Sequence, residues 1–163
     1  MKLENVNLHH AAASDSTGTC SIELPKDADG LGNHYLARIG TGADGSAVVA
    51  NVPMLKLDDV EIGSGVVTFI KIDTEGHERS VIEGAIQLIA RDRPALLVEI
   101  SSSIDDAASD GGAIRSRLAE FGYAPYRHAD GALHAWSAGD QSVNVVFLRP
   151  EHVERFSAGG TRA

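Results

Sequence analysis

The predicted fold is decided by residues 66–100, VVTFIKIDTEGHERSVIEGAIQLIARDRPALLVEI. Residues 66–72 form an apolar run rich in β-branched side chains, which is typical of a buried central strand in a parallel sheet. After an acidic turn that begins at Asp73, apolar residues recur at helical spacing as far as Pro94. Residues 95–100 predict a second buried strand. The segment therefore predicts a strand, turn, helix and strand, with a binding edge where the strands end.

Composition limits the classes of partner. The chain has 163 residues and a net charge of -9, which suits one domain and makes nucleic acid and anionic membranes poor partners. The single cysteine, Cys20, excludes an internal disulfide and a cysteine-based zinc cluster. No apolar run reaches the length of a signal peptide core or a membrane helix. We therefore expect a soluble, cytoplasmic protein that has no membrane partner.

The remaining segments complete one domain over residues 1–150. Turn residues and apolar runs predict strands at 6–13, 19–24, 52–57 and 143–148. Pro53 either places the third of them at a sheet edge or is its entry residue. Residues 25–51 are rich in glycine and predict a long loop or lid with one weak hairpin. Residues 101–112 predict a polar loop, followed by a helix that ends at Gly122 and a hairpin around Asp130 and Gly131. Residues 151–163 predict a flexible tail.

The order of these segments predicts the fold class. Strands alternate with helices in the middle of the chain, and consecutive strands follow near the end. This order predicts an α/β fold with a mainly parallel sheet and an antiparallel C-terminal edge.

Three carboxylates are the candidate catalytic groups. Asp73 and Glu75 follow the first strand of the segment 66–100 and Glu99 ends the second, so neighbouring strands would bring all three to one edge. Such a cluster can take a proton from a hydroxyl, hold substrate hydroxyls or bind a divalent cation. Alternatively, Asp73 caps the following helix and Glu75 lies in its first turn, facing the helix dipole.

Other polar residues near this edge have two readings each. His77 is a candidate catalytic base or a surface residue, and Glu78 is a solvent-facing charge or faces the site. No pair of histidines has a metal-ligand spacing, so no zinc site is predicted. Gly84 is expected to allow close packing of the helix. Trp136 on the late hairpin is expected in the core, with a substrate platform as the alternative.

The motifs together resemble the FkbM family of S-adenosylmethionine-dependent methyltransferases. The resemblance rests on KIDTEGHE at 71–78, with VIEGA at 81–85, RPALLVEI at 93–100, the AxSDxxG turn at 12–18 and LDD at 57–59. It implies a Rossmann-like class I methyltransferase fold, S-adenosylmethionine as cofactor and O-methylation of a small-molecule or glycan hydroxyl. It also implies that Ser14 and Asp15 lie in a turn that faces the adenine of the cofactor.

One part of the family pattern is absent from the sequence. No strand followed by a glycine-rich turn precedes Val6, and the later glycine pairs lie in polar loops. The chain therefore resembles the C-terminal portion of the domain, as a truncated reading frame, a split-gene product or an internal-start form. We expect it to be incomplete and inactive alone, and to need a complementing N-terminal segment.

Two alternatives belong to other functional classes. The first is a non-catalytic remnant or interaction module that self-associates or pairs with another chain through an exposed sheet edge. The second is a divalent-metal site at the three carboxylates.

Overall fold

The computed structural model describes residues 5–24, 37–40 and 47–159. Nine strands and four α-helices are formed in the described part of the chain, together with a short 3-10 helix at Leu57–Asp59. The strands are β1 Ala12–Ala13, β2 Gly18–Leu24, β3 Arg38–Ile39, β4 Ala47–Leu55, β5 Phe69–Ile72, β6 Ala95–Glu99, β7 Ala124–Ala129, β8 Ala132–Ala135 and β9 Asn144–Leu148. The helices are α1 Glu78–Glu83, α2 Ile86–Asp92, α3 Asp110–Ala119 and α4 Pro150–Gly159.

The first sheet has the strand order β1-β4-β2-β3. Strand β4 pairs with β1 in parallel and with β2 in antiparallel register, so the predicted edge position of this strand is wrong. Its Pro53 is opposite Thr19 of β2. The predicted loop or lid over 25–51 is also wrong in part, because β3 and the start of β4 lie within it; residues 25–36 and 41–46 of that range are outside the described residues.

The second sheet has the order β5-β6-β9-β7-β8. Only β5 and β6 are parallel in it, and β9 runs antiparallel between β6 and β7. The sheets are thus mixed and mostly antiparallel, and the prediction of a mainly parallel sheet is wrong. The antiparallel C-terminal edge is confirmed by the β7–β8 hairpin, whose turn residues Asp130 and Gly131 have φ of 52° and 75°.

Strand β5 lies at the edge of this sheet rather than at its centre. It spans four residues, and within the described chain its one paired neighbour is β6. Val66, before the strand, is 69% exposed, and Phe69 within it is 55% exposed. β-Branched and aromatic residues predict extended backbone but do not report how many neighbours the strand has. The strand was therefore predicted correctly and its burial was not.

The core lies between the second sheet and helices α1 to α3. Its buried residues include Ile82 and Ile89 from the first two helices, Leu96 from β6, Phe147 from β9 and Leu118 from α3. The predicted single helix is broken at Gly84 and Ala85 into α1 and α2.

The break in the helix is where the two sheets meet. A Cβ atom at Gly84 would lie 1.8 Å from the carbonyl oxygen of Ser14, which follows β1. Gly84 also accepts a hydrogen bond from the Asp58 amide at 2.9 Å. The close packing expected of Gly84 is therefore confirmed, and its partner is the turn after β1.

The predicted flexible tail contains helix α4. Pro150 begins the helix, a position where its fixed φ is favourable and its missing N–H is not needed. The Arg149 guanidinium, just before the helix, bonds the carbonyl of Phe121 and the Glu151 carboxylate. Across the described ranges, no helix combines the length and apolar character required to cross a membrane.

Candidate functional site

The carboxyl ends of β5 and β6 bring three acidic side chains together. The two strands pair in parallel with Ile72 opposite Val98, so the residues that follow each of these positions leave the sheet side by side. Asp73, Glu75 and Glu99 each place a carboxylate oxygen within 4.8 Å of the other two. The strand order thus produces the convergence expected from the sequence. Asp73 and Glu75 are exposed and Glu99 is half-buried, so the cluster is open to solvent.

One cation accompanies the cluster. The Lys71 ammonium lies 2.6 Å from a carboxylate oxygen of Asp73. This hydrogen bond raises the pKa of the Lys71 ammonium, and the charges of Asp73 and Glu99 add to the effect. One lysine against three carboxylates leaves the edge net negative. It therefore favours hydroxyl or cationic ligands over anions.

The turn after β5 holds these groups without using them as helix caps. Helix α1 begins at Glu78 and its N-cap residue is His77, so neither Asp73 nor Glu75 lies in the first turn. Glu75 has φ of 52° and Gly76 has φ of 95°. A left-handed conformation is unfavourable for a residue with a side chain. Because α1 begins at Glu78 and has His77 as its N-cap residue, the helix-capping alternative for Asp73 and Glu75 is excluded.

A small recess lies against the cluster. It has a volume of about 130 Å³ and is lined by Glu75, Gly76, Glu78, Glu99 and Ser101. Two of the three clustered carboxylates thus border a cavity into which one polar group of a ligand can enter.

Glu78 has a role that sequence reasoning missed. It was expected on the solvent face or facing the site; it lines the recess, is only 7% exposed, and one of its carboxylate oxygens accepts three hydrogen bonds. The donors are the Thr74 amide and hydroxyl, both at 3.1 Å, and the Gly76 amide at 2.9 Å. Glu78 therefore organises the backbone of the turn that carries Glu75. Its position in the first helical turn, four residues after a threonine, was the available signal.

His77 is held by the turn after β1. Its Nε2 lies 2.9 Å from the hydroxyl of Ser14, which is 2% exposed. The Ser14 hydroxyl also donates to the Asp15 carboxylate at 3.2 Å. The structure thus brings His77 to the two residues that the resemblance assigned to the cofactor, rather than into the recess with Glu75 and Glu99.

The contacts of Ser14 and Asp15 indicate which of their groups are available to bind S-adenosylmethionine. Ser14 is buried, its hydroxyl is used by His77 and Asp15, and its carbonyl packs on Gly84. It has no group left for an adenine. Asp15 is exposed, and its carboxylate accepts bonds from the hydroxyls of Ser14 and Ser16. Ser14 therefore does not fit the cofactor, whereas the exposed Asp15 accepts both bonds at one carboxylate oxygen and keeps the other open to a ligand.

Among the residues that the structure describes, the three clustered carboxylates form the group able to hold a metal ion. Hard carboxylate oxygens suit Mg²⁺, Mn²⁺ or Ca²⁺. The Lys71 ammonium, however, already occupies an oxygen of Asp73 and repels a second cation. A metal would have to displace this lysine.

Asp58 is a second acid with a structural role. Its two carboxylate oxygens accept the amides of Gln87 at 3.1 Å and Leu88 at 2.9 Å. These amides lie in the first turn of α2, whose own N-cap residue, Ala85, makes no side-chain cap. Asp58 therefore caps α2 from the 3-10 helix, across a sequence separation of 30 residues.

A larger cavity adjoins the recess. Its volume is about 370 Å³, and it lies between the loop after β6 and the segment before β9. Trp136 and Gln141 line it on one side and Ser101 on the other. Trp136 was expected in the core, with a substrate platform as the alternative; the indole packs against the core and also borders this cavity.

In α/β enzymes a ligand site usually lies at the ends of the strands, and this chain has an acidic edge with an adjoining cavity there. Comparison with known proteins identifies the family. The Methyltransferase FkbM domain matches residues 2–125, most of the chain. The chain belongs to the FkbM methyltransferase domain family.

One solved structure is similar to the chain. It is the methyltransferase FkbM from Methylobacillus flagellatus KT, determined by crystallography, with 24% sequence identity and a TM-score of 0.39. The match covers 60% of this chain and 23% of that one, so this chain spans a minor part of the length of its relative. A comparison with curated proteins found no match.

Proposed function

We propose that this chain provides the acceptor side of an S-adenosylmethionine-dependent O-methyltransferase. Family membership supports methyl transfer, and the open carboxylates of Asp73, Glu75 and Glu99 support a hydroxyl acceptor. The acceptor would be a small molecule or a glycan. In this proposal the second sheet belongs to a Rossmann-like fold.

The observation that best supports this proposal is that Glu75 and Glu99 line one recess beside Asp73. An acceptor hydroxyl in the recess would donate its hydrogen bond to one of these two carboxylates. The carboxylate would take the hydroxyl proton as the oxygen accepted the methyl group and the methyl–sulfur bond of the donor broke. Asp73 would remain paired with Lys71 during the reaction, so this ion pair would not change the net charge of the edge. When bound, S-adenosylmethionine supplies an activated methyl group.

His77 has a different role in this proposal. Because its Nε2 faces the Ser14 hydroxyl, His77 would position the turn after β1 against α1. The catalytic role predicted for His77 is kept as a proposal only for its other ring nitrogen, Nδ1.

We infer that the donor is held mainly by groups other than Ser14 and Asp15, because Ser14 is buried and already hydrogen-bonded. The chain alone should therefore bind S-adenosylmethionine weakly or not at all. Isothermal titration calorimetry of the purified chain tests this inference, and micromolar binding would contradict it.

The activity itself requires a complete cofactor site. We would extend the chain at its amino end with the glycine-rich segment of a family member and supply labelled S-adenosylmethionine with a panel of hydroxyl acceptors. Mass spectrometry should detect the gain of one methyl group. Of Glu99→Gln and Glu75→Gln, the variant that removes the base should lower the rate at least about a hundredfold, as for loss of a general base. Glu154→Gln, an exposed change on α4, is the matched control. Equal rates in all variants would refute the proposed role of the carboxylates.

A second candidate function is self-association through β5. The outer side of this edge strand is unpaired within the described chain, and Phe69 is exposed on it. Exposed edge strands pair readily with other strands, although a charged residue such as Lys71 opposes this. Size-exclusion chromatography with light scattering tests it: a dimer that Phe69→Lys converts to a monomer supports the interaction module, and a monomeric parent chain excludes it.

A further inference from the structure

The cavity of about 370 Å³ has a rim held in place by one carboxylate. Asp105, in the loop after β6, accepts the Trp136 indole N–H at 3.2 and 3.3 Å and the Gly139 amide at 2.9 Å. It also pairs with Arg115 of α3 at 2.6 Å. The Gly139 amide, with Trp136 and Arg115, lowers the pKa of the Asp105 carboxyl, so the anchor is charged at neutral pH. One acid thus ties three segments together around the cavity.

The indole contributes apolar surface to this cavity. Its one polar atom, Nε1, is taken by Asp105, so only carbon atoms remain for a ligand. An indole ring whose position is fixed provides a flat apolar surface at little entropic cost on binding.

Apart from Asp140, the polar lining residues are neutral: Ser101, Ser102, Ser103, Gln141 and Ser142. The Ser102 and Ser103 hydroxyls accept backbone amides, and the Ser142 hydroxyl and the Gln141 amide donate to backbone carbonyls, so these four side chains keep part of their hydrogen-bonding capacity for a ligand. Hydroxyls and amides both donate and accept hydrogen bonds, so they match ligand hydroxyl groups, which do the same. The cavity therefore combines one apolar face with several hydroxyl-matching groups.

The charge around the cavity selects against anions. Among the residues described as lining it, none is a lysine or arginine. The one lining acid, Asp140, is paired with Arg127 at 3.0 Å and accepts the Ser137 amide at 2.8 Å. Because Asp105 and Asp140 already have arginine partners, neither needs a ligand cation. The preferred ligand is therefore neutral.

The cavity also neighbours the carboxylate recess. Ser101 lines both, next to Glu99 at the end of β6. A ring bound against Trp136 would extend a hydroxyl past Ser101 toward Glu75 and Glu99. The volume lies at the lower end of the range for small-molecule sites, about 300–1,000 Å³, which suits one ring rather than an extended chain.

We propose that the cavity between Trp136, Gln141 and Ser101 binds a neutral, polyhydroxylated ring of pyranose size, with its apolar face on the indole and its hydroxyls on the serines and the amide. This inference rests on the proposed methyltransferase function only where it identifies the cavity as the acceptor site. Binding of the ring itself requires neither methyl donor nor methyl transfer.

The chain carries its own probe for this cavity, because Trp136 is the one tryptophan among 163 residues. We would titrate the chain with methyl glucoside, methyl galactoside and methyl fucoside at millimolar concentrations and record tryptophan emission. At least one should give a saturable change. Glucose 6-phosphate should bind at least about tenfold more weakly, because no cation lines the cavity to pair with its phosphate.

Variants make the test specific. Gln141→Ala and Ser101→Ala should each weaken binding about fivefold, the effect of one lost hydrogen bond. Ser116→Ala, at an exposed position of α3 that does not line the cavity, should leave binding unchanged. Far-ultraviolet circular dichroism would confirm that each variant is folded.

Three results would overturn the proposal: no neutral glycoside changes the emission, the phosphorylated sugar binds as tightly as the neutral ones, or folded Gln141→Ala and Ser101→Ala bind like the parent chain. Its failure is distinguishable from failure of the proposed function. Glycoside binding without methylation by the extended chain leaves the cavity assignment intact, and methylation of an acceptor without glycoside binding refutes the cavity alone.

Discussion

Glu75 and Glu78 lie three residues apart in one turn, and the fold places their carboxylates in opposite environments. Glu78 is buried, and one oxygen accepts three donors of the turn itself. Glu75 is exposed, has a positive φ and stands beside two further acids. The comparison shows that the acids of this sequence divide into those that build the edge and those that the edge presents to a ligand.

The largest expected effect comes from the buried acid. Glu78→Ala should lower the free energy of unfolding by about 2 kcal/mol, because the Thr74 and Gly76 amides lose their acceptor. For a chain of this size that corresponds to a fall in Tm of roughly 4–8 °C. Thermal unfolding followed by circular dichroism measures it. Glu75→Ala is the matched control and should shift the stability by less than about 0.5 kcal/mol; similar losses for both would erase the distinction.

Asp58 is another acid with a structural role, and it lies outside the turn after β5. Asp58→Ala should cost about 1 kcal/mol, since α2 would lose the side chain that caps its first amides. The neighbouring Asp59 is exposed and accepts only a long bond of 3.4 Å from Thr17. Asp59→Ala should therefore be nearly neutral in urea unfolding. If both variants lost the same stability, the loss would reflect the 3-10 helix rather than the cap.

Replacing Glu75, an acid that the edge presents to a ligand, should have the opposite effect on the free energy of unfolding. Glu75→Gly should raise the free energy of unfolding by about 0.5 kcal/mol, because glycine adopts the observed φ of 52° without strain, although it also gains freedom in the unfolded chain. Glu75→Gln keeps the strained conformation and removes only the charge. Urea unfolding of both variants separates strain from repulsion; a stability gain in Glu75→Gln alone would assign the effect to charge.

A pH-dependent effect concerns an acid far from the edge. Hydrogen bonds from Arg91, and then from the Val67 amide, lower the pKa of Asp92 from 3.8 to about 2. A lowered carboxyl pKa stabilises the fold above the unfolded value and loses that contribution as the pH falls from about 4 to 2. Asp92→Asn should flatten the dependence of stability on pH in this window. Ser116→Ala, an exposed change that alters no charge, should leave the slope unchanged, and equal slopes in the parent chain and Asp92→Asn would exclude the linkage.

The sequence predicted the elements that depend on local pattern. The alternation and β-branching of residues 66–100 indicated two strands, and their parallel pairing was enough to bring Asp73, Glu75 and Glu99 together. The turn at Asp130 and Gly131 was likewise predicted from residue types that tolerate positive φ.

Long-range relations were beyond local pattern. The position of β9 between β6 and β7 depends on a pairing across about 45 residues, which no periodicity reports, so the mixed direction of the sheet was missed. Helix α4 was missed because polar residues after Pro150 indicate a frayed end as readily as a helix. The burial of Glu78 required knowing that the Thr74 and Gly76 amides turn toward it.

The joint between the two sheets has a consequence for the order of folding. Ser14 meets His77 across 63 residues of chain, and its carbonyl leaves no room for a side chain at Gly84. Contacts of such separation carry a large loop-closure entropy and form late. We therefore expect the unit from β5 to β6 to assemble first and the turn after β1 to dock onto it afterwards, with Gly84 as the point where docking succeeds or fails.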